Sequence, residues 1–570
     1  MIHYRIVKDA QGQKVLELDL KGKALLNIAQ FNKGTAFTEE EREALGILGK
    51  LPCGVETIVQ QAKRALEQFY AYDEPLNRNS YLNKILNQNQ TLFYYLVNNH
   101  LEDMLPMVYT PVVGQAVTHF HKRSLRPRGL YISYPEMDRI DEILDNRTNA
   151  EIQLIVVSDG EGVLGIGDQG ADAMAIPVAK LIVYTAFAGM NPNYTLPIML
   201  DTGTNNQELL DDPLYIGWRH PRISGDQYNE FVDKFVNACK RKFPKLFLHW
   251  EDLGTTNAYR NLSQYRENLC TFNDDIQGTG VVALAAMLSA VHHKNEDLKD
   301  QRVVVLGAGS AGMGVSERIA NAIELESSDC APEDCFWLVD RYGLITEETV
   351  DMTPAQKPYA KPLDMIKDWD VKDPQNITLK EVVQNLKPTM LIGTSAQKGA
   401  FTQEIIELMA EYNKHPIMFV LSNPNEKAEA TPTDMLTWTK GKALITTGSP
   451  FQPVDYNNQT FTISQCNNYL AFPGIGLGVT AVQASHISDE MLMSAALAIS
   501  EHTHPEKRQL LPGLDEAKAT SLSVAIAVAK KAIEQGFSPI TNIEEAEALV
   551  KKAQWEPEYL PYRFNADIKE

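Results

Sequence analysis

The sequence predicts an α/β protein with a helical N-terminal region followed by two strand-rich regions, the second of them doubly wound. Three observations predict it. Helical periodicity recurs through Ile58 to Phe69 and Leu82 to Leu105, with few strand signals between. After Arg126, short apolar runs end abruptly in acidic, glycine or asparagine residues, as buried parallel strands do where their C-terminal ends open into loops. Helix-length segments separate most of these runs, and that alternation builds a parallel sheet with helices on its faces.

Taken in order, the first element signal is Thr38-Glu-Glu-Glu, where Glu41 falls three residues after Thr38 and forms the capping box of a helix start. The middle region carries the strands Leu154-Ile-Val-Val-Ser-Asp159, Pro197-Ile-Met-Leu-Asp201 and Leu246-Phe-Leu-His-Trp-Glu-Asp252. The pattern returns as Val303-Val-Val-Leu306, Phe336-Trp-Leu-Val-Asp340, Thr389-Met-Leu-Ile392, Ile417-Met-Phe-Val-Leu421 and Ala443-Leu-Ile-Thr446. The stretch from Pro354 to Pro374 is rich in Pro, Lys and Asp and reads as a surface excursion within the doubly wound region.

Bulk composition narrows the function classes. A chain of 570 residues with 44% hydrophobic content can bury several cores, two to four domains at roughly 150 residues each. A formal charge of −21 argues against a nucleic-acid partner, because that affinity rests on Lys and Arg neutralising phosphates. The longest uncharged apolar run, Val281 to Val291, is well short of the ~20 residues of a membrane span, so no membrane partner is expected. Met1 to Lys14 interleaves charged and single apolar residues and lacks the apolar core of a secretory leader. Cys53, Cys239, Cys270, Cys330, Cys335 and Cys466 form no C-x-x-C pair, and a reducing cytoplasm fits best.

The clearest motif is Val303-Val-Val-Leu-Gly307-Ala-Gly309-Ser310-Ala311-Gly312-Met-Gly314, a G-x-G-x-x-G directly after an apolar strand and opening an apolar helix. The first glycine permits the tight turn, the second lets backbone approach a pyrophosphate, and the third allows close helix packing. The helix N-terminus then meets the phosphates. This context points to a dinucleotide. Asp340 ends the next strand, where a carboxylate would take ribose hydroxyls, which favours NAD; Arg341 beside it leaves a 2′-phosphate open. A second match, Gly160-Glu-Gly162-Val-Leu-Gly165, follows a turn dipeptide and leads into no helix, so it reads as a turn.

Acidic clusters carry the chemistry. Glu251 and Asp252 close one strand, and Asp274 and Asp275 sit in Phe272-Asn-Asp-Asp-Ile-Gln-Gly278 ahead of a long helix. Adjacent strand residues point to opposite faces, so Glu251 and Asp252 can share a ligand only at a bend, which Leu253-Gly254 would supply. Carboxylate oxygens without a His or Cys cluster suit Mg²⁺ or Mn²⁺ and not zinc. A solvated strand end is the plain alternative. Tyr109, between Pro106 and Pro111, is either a half-buried packing residue or an acid. Lys180, a single cation in an apolar helical stretch, either snorkels to solvent or acts as a base whose pKa an apolar pocket would lower.

The blocks Phe31-Asn-Lys-Gly-Thr-Ala-Phe37, Met107-Val-Tyr-Thr-Pro111, Gly165-Ile-Gly-Asp-Gln-Gly170, Trp250-Glu-Asp252, Phe272-Asn-Asp-Asp-Ile-Gln-Gly278, Leu421-Ser-Asn-Pro424 and Phe472-Pro-Gly-Ile-Gly476 resemble those of the long-chain malic enzymes, in the family's order and over nearly the whole chain. The resemblance implies oxidative decarboxylation of L-malate with NAD and Mg²⁺ or Mn²⁺. It makes Tyr109 the general acid, Lys180 the general base, and Glu251, Asp252 and Asp275 the metal ligands. Asn423, Asn467 and Asn468 match substrate-contacting asparagines, and Gly307, Gly309, Ser310, Ala311, Gly312, Asp340 and Asn423 face the cofactor. It further implies a helical N-terminal domain over 1–126, a substrate- and metal-binding α/β domain over 127–275 completed by 463–535, a Rossmann NAD-binding domain over 276–462, and a C-terminal tail over 536–570. Assembly as a homodimer or homotetramer would follow.

One departure matters. Where malic enzymes of this type resemble Gly-Glu-Arg, this chain reads Gly160-Glu-Gly162, and no Lys or Arg lies within ten residues on either side. An arginine there would clamp a substrate carboxylate. The sister malolactic enzymes, which retain NADH and release lactate, are similar in having Gly here but tend to carry Asp where this chain has Thr110. The two arginines of the family's allosteric dicarboxylate site are matched at Arg64 and not at Gln88. A catalytically inactive NAD-binding regulator, and an amino-acid dehydrogenase needing no divalent metal, are the readings from other classes.

Overall fold

A computed structural model describes residues 3–123, 126, 128–163, 165–326, 331–504 and 507–568. Met1, Leu164 of the second glycine motif and Cys330 lie outside the described residues. Contacts divide the chain into two compact units, residues 1–251 with 552–570, and residues 252–551.

The first unit does not open on a helix. Tyr4–Lys8 and Lys14–Leu18 pair antiparallel, and Tyr562–Phe564 from the far end of the chain adds to Lys14–Leu18 in parallel. Leu16 and Leu18 bury their side chains beneath this small sheet with Phe31 and Phe37. Part of the expected C-terminal tail is thus a strand of the N-terminal unit. The Thr38–Glu41 capping box is present on helix Glu39–Ala44. Helix Ile58–Tyr70 forms as its periodicity predicts. The periodic run from Leu82 to Leu105 falls on three helices, Pro75–Gln88, Gln90–Asn99 and Leu101–Val108. Asn89 makes the first break, because its side-chain oxygen accepts from the Leu92 N–H and restarts the helix. Phe69, Leu82, Phe93 and Val97 form the core between them.

Four parallel strands follow in the order Leu130–Ser133, Thr195–Asp201, Leu154–Ser158, Phe247–Trp250. Leu154–Ser158 is buried at every position, which explains its unbroken apolar run. Helix Ala175–Ala188 packs on the middle two strands and stops at Gly189, whose φ of 70° is the left-handed cap glycine tolerates.

The second unit is built on a seven-stranded sheet in the order Gly343–Leu344, Phe336–Asp340, Val303–Leu306, Met390–Gly393, Ile417–Val420, Leu444–Thr447, Ser464–Gln465, parallel except at the Gly343 edge. Chain order reverses between Val303–Leu306 and Met390–Gly393, so the crevice of a doubly wound sheet opens beyond their C-terminal ends. The Pro354–Pro374 excursion is not confined to the surface. Trp369 stacks on Trp337 of the sheet at 5.1 Å, and Tyr359 and Ile366 are buried. Helices Phe472–Ala481, Asp489–Ser500 and Ala517–Glu534 pack together, and Asp489–Ser500 packs against helices Thr279–Lys294 and Ser310–Glu326. Residues 463–535, expected to complete the middle domain, therefore belong by contact to the second unit. Two helical stretches, Gly170–Ala188 and Asp274–Lys294, are long and apolar enough to cross a membrane, yet 89% and 78% of their apolar windows are buried, as in core helices of a folded unit.

Candidate active site

In the first unit the site is built on one helix and one strand. Lys180 and Tyr184 lie one turn apart on helix Ala175–Ala188 and share a face. His249 on strand Phe247–Trp250 and Glu251 just beyond it are two residues apart and share a face by the strand period. These pairs meet: Lys180 Nζ lies 3.0 Å from Glu251 Oε1, His249 Nε2 lies 2.6 Å from Glu251 Oε2, and Tyr184 Oη lies 2.7 Å from His249 Nδ1. Lys180 is 4% exposed, which excludes snorkelling to solvent. Its surroundings also differ from the apolar pocket expected, since a carboxylate is its close neighbour. Tyr109 caps helix Leu101–Val108 and is buried, with the Lys180 ammonium 5.5 Å from its ring centroid. The sequence reading named Lys180 and Glu251 but missed Tyr184 and His249; the spacings Lys-x-x-x-Tyr and His-x-Glu were the available signal.

The segment around Gly162 is a turn, as expected, with Gly160 at φ 68° and a bridge between Val163 and Gly167. Positive charge reaches it from a distant residue, Arg222. That guanidinium is committed, however: it donates to both Asp168 oxygens at 3.1 and 2.6 Å, to the Asp159 carbonyl at 3.0 Å and to Thr202 Oγ1 at 2.6 Å. Asp159 is fully buried, and burial pushes its carboxyl up to about 6 against the pull of Arg222.

In the second unit, Asp252 adopts φ 53°, a left-handed conformation uncommon outside glycine, and its N–H donates to Asp275 Oδ2 at 2.8 Å. The bend comes at Asp252 itself, one residue before the Leu253-Gly254 expected. That hydrogen bond ties Asp252 to Asp275. All three are buried, which sets aside the solvated strand end. Asp275 lies in a single π-helical turn, Asp274–Gly278, opened by Asn273, whose side chain accepts from the Ile276 N–H at 2.9 Å. Asn468 Nδ2 donates to Asp274 Oδ2 at 2.9 Å and Asn467 Oδ1 accepts from the Tyr469 N–H at 3.2 Å, so the two asparagines act on this turn and on their own. Asn423 Oδ1 accepts from the Ser449 hydroxyl beyond the sheet's C-terminal edge.

At the crevice, Gly307 has φ 102° and a Cβ there would meet Thr394 C at 2.7 Å; at Gly312 it would meet the Gly307 carbonyl oxygen at 2.0 Å. At Gly309 nothing lies within 4 Å. The open space over Gly309, at the N-terminus of helix Ser310–Glu326, is where a pyrophosphate needs room. Asp340 ends its strand half-buried and accepts from the Arg341 N–H at 2.8 Å. The sequence reading missed Glu429. Its buried Oε1 accepts from Ser395 N–H, Ser395 Oγ and Ser422 Oγ at 2.7, 2.8 and 2.6 Å, which clamps two loops of the crevice together.

Comparison with known proteins gives matches over most of the chain. A family profile described as malic enzyme, N-terminal domain matches residues 86–266, and one described as malic enzyme, NAD binding domain matches residues 276–533. The chain is 45% identical to the NAD-dependent malic enzyme of Aeromonas hydrophila over 560 residues, covering 98% of this chain and 99% of the relative. It is 45% identical to that of Shewanella frigidimarina, covering 97% and 99%. Among solved structures, the malic enzyme of Pyrococcus horikoshii shares the fold with a TM-score of 0.55 at 23% identity over 79% of this chain and 89% of that one. That of Entamoeba histolytica gives 0.54 at 22% over 90% and 92%.

Proposed function

The chain belongs to the malic enzyme family, and on that premise we propose that it converts L-malate to pyruvate and CO₂ with reduction of NAD, dependent on Mg²⁺ or Mn²⁺. The observation that carries this reading is the buried Lys180–Glu251 pair.

Glu251, Asp252 and Asp275 would hold the cation: three buried carboxylates offer the hard oxygen donors that Mg²⁺ and Mn²⁺ take. When bound, the cation supplies Lewis-acid polarisation and the nicotinamide accepts hydride. Lys180 takes the proton from the C2 hydroxyl as the C2 hydride leaves. In the resulting 2-oxo diacid the C3–C4 bond breaks and the C4 carboxylate leaves as CO₂, its electron pair passing into an enolate of C2 and C3. Tyr109, beside Lys180, delivers from its hydroxyl the proton that C3 then takes. Burial of Lys180 and Tyr109 keeps water from that exchange. Gly307, Gly309, Ser310, Ala311 and Gly312 cradle the dinucleotide phosphates with Asp340 on the ribose side, while Asn423, Asn467 and Asn468 serve the substrate.

On the same premise the protein acts in the cytoplasm as a homodimer or homotetramer. Gly162 supports a second reading, malolactic conversion to L-lactate, because Arg222 is committed to Asp168, Asp159 and Thr202 and does not stand in for a carboxylate clamp there.

The test of the metal assignment is chelation. Excess chelator abolishes malate turnover, and Asp275→Asn stays inactive at ordinary Mn²⁺ concentrations. Full turnover in excess chelator would falsify the assignment.

A further inference from the structure

We infer that Tyr184 and His249 form a relay of positioning residues that holds Glu251 in place and, through it, Lys180. This rests on the reading of Glu251 as a metal ligand and Lys180 as the base.

Four buried groups stand in series: Tyr184 and His249 are 0% exposed, Glu251 3% and Lys180 4%. Both Glu251 oxygens are engaged, Oε2 by His249 at 2.6 Å and Oε1 by Lys180 at 3.0 Å. A carboxylate paired with an ammonium accepts and does not donate. His249 therefore donates from Nε2, which leaves Nδ1 to accept the Tyr184 hydroxyl proton at 2.7 Å. Each bond polarises the next in the same sense, toward the carboxylate. The ring is fixed by packing as well, edge-on to Tyr184 with centroids 5.7 Å apart.

A glutamate carries a long side chain with several rotamers, and a ligand carboxylate that must be ordered by the cation binds it more weakly. Here the ordering is done beforehand by His249 and, behind it, Tyr184. Partners of this kind typically alter metal affinity by 10–100-fold when removed. The same contact fixes where Lys180 can sit, because its ammonium is anchored to the oxygen opposite the one His249 holds.

The experiment measures Mn²⁺ binding directly, by electron paramagnetic resonance on metal-free protein, with malate kcat, KM and unfolding midpoint recorded beside it. His249→Leu, which removes the donor, should weaken Mn²⁺ by about 10–100-fold. His249→Gln, which returns an amide donor near the same position, should recover most of that loss. Tyr184→Phe, the mildest change and the one that keeps its ring packing, should weaken Mn²⁺ by about fivefold, the worth of one neutral hydrogen bond. In all three kcat should fall more than KM rises. Glu251→Gln separates this inference from the reading beneath it: wild-type Mn²⁺ affinity in that variant overturns the ligand assignment. If Glu251→Gln loses Mn²⁺ while folded Tyr184→Phe and His249→Leu bind it as the wild type does, the relay is wrong and the ligand assignment stands. Should His249→Leu fail to fold, Tyr184→Phe decides the matter: wild-type Mn²⁺ affinity in that folded variant overturns the relay.

Discussion

Replacing Lys180 by alanine separates its chemical role from its structural one. The ammonium sits 3.0 Å from Glu251 Oε1, with the two side chains 5% and 4% exposed, so its removal strands a buried carboxylate beside His249. Breaking such a pair from one side costs about 3–5 kcal/mol, and the unfolding midpoint of the metal-free protein should fall accordingly. Independently, loss of a positioned proton acceptor should lower kcat for malate about 10²–10⁴-fold, equivalent to ~3–5 kcal/mol on the barrier. The two effects are told apart by a second variant and a second substrate. Lys180→Arg keeps a cation for Glu251 but offers no base at neutral pH, so it should regain much of the stability without regaining malate turnover. Oxaloacetate has no hydroxyl proton to remove, so its metal-dependent decarboxylation should suffer far less in Lys180→Ala than malate oxidation does. Tyr109→Phe should show the reverse bias, impairing protonation of the decarboxylated product more than hydride transfer. Equal losses on malate and oxaloacetate in Lys180→Ala, or malate turnover restored in Lys180→Arg, would refute the base assignment.

Three further outcomes are expected. Gly309→Ala should fold normally, since nothing lies within 4 Å of the new Cβ, yet raise the NAD Kd, whereas Gly312→Ala should destabilise the second unit because its Cβ meets the Gly307 carbonyl at 2.0 Å; equal NAD affinity in Gly309→Ala and wild type, by fluorescence titration, would sink the cradle. Glu317 is a half-buried carboxyl pushed up to about 7 by desolvation, with Asp489 adding to the rise. Its folded state binds the proton more tightly than the unfolded chain, so stability is lost as pH rises from about 4.5 through about 7. Glu317→Gln should therefore match the wild type at pH 4.5 and exceed it at pH 8, by up to ~3 kcal/mol, in thermal unfolding. For Gly162, malate with NAD should yield pyruvate with stoichiometric NADH, and Gly162→Arg should lower the malate KM or leave it unchanged; lactate as the main product under initial-rate conditions would favour the malolactic reading.

Much of the second unit was legible because its signals are local. Val303–Leu306 and Phe336–Asp340 fall where the sequence reading put them, and three other strands shift by about one residue, since a buried parallel strand announces itself as an apolar run. Gly312 was legible for the same reason, since its Cβ would meet the Gly307 carbonyl five residues back, whereas the close approach at Gly307 comes from Thr394 on the neighbouring strand's loop. The edge strands escaped notice, Gly343–Leu344 and Ser464–Gln465 being too short to carry a pattern.

Taken alone, the sequence determined the doubly wound sheet, the dinucleotide turn, the family and the residue types at the centre. It could not decide what those residues touch. Lys180 read equally well as a snorkelling surface residue, because a cation in an apolar helix says nothing of the carboxylate 71 positions later that pairs with it. Tyr184 and His249 carried only the weak spacings Lys-x-x-x-Tyr and His-x-Glu, each being an ordinary core residue on its own element until helix and strand are brought together. The return of Tyr562–Phe564 to Lys14–Leu18 spans almost the full length of the chain. Periodicity and turn chemistry act over a few residues, whereas burial, ion pairing and strand addition depend on distances that only the packed chain defines.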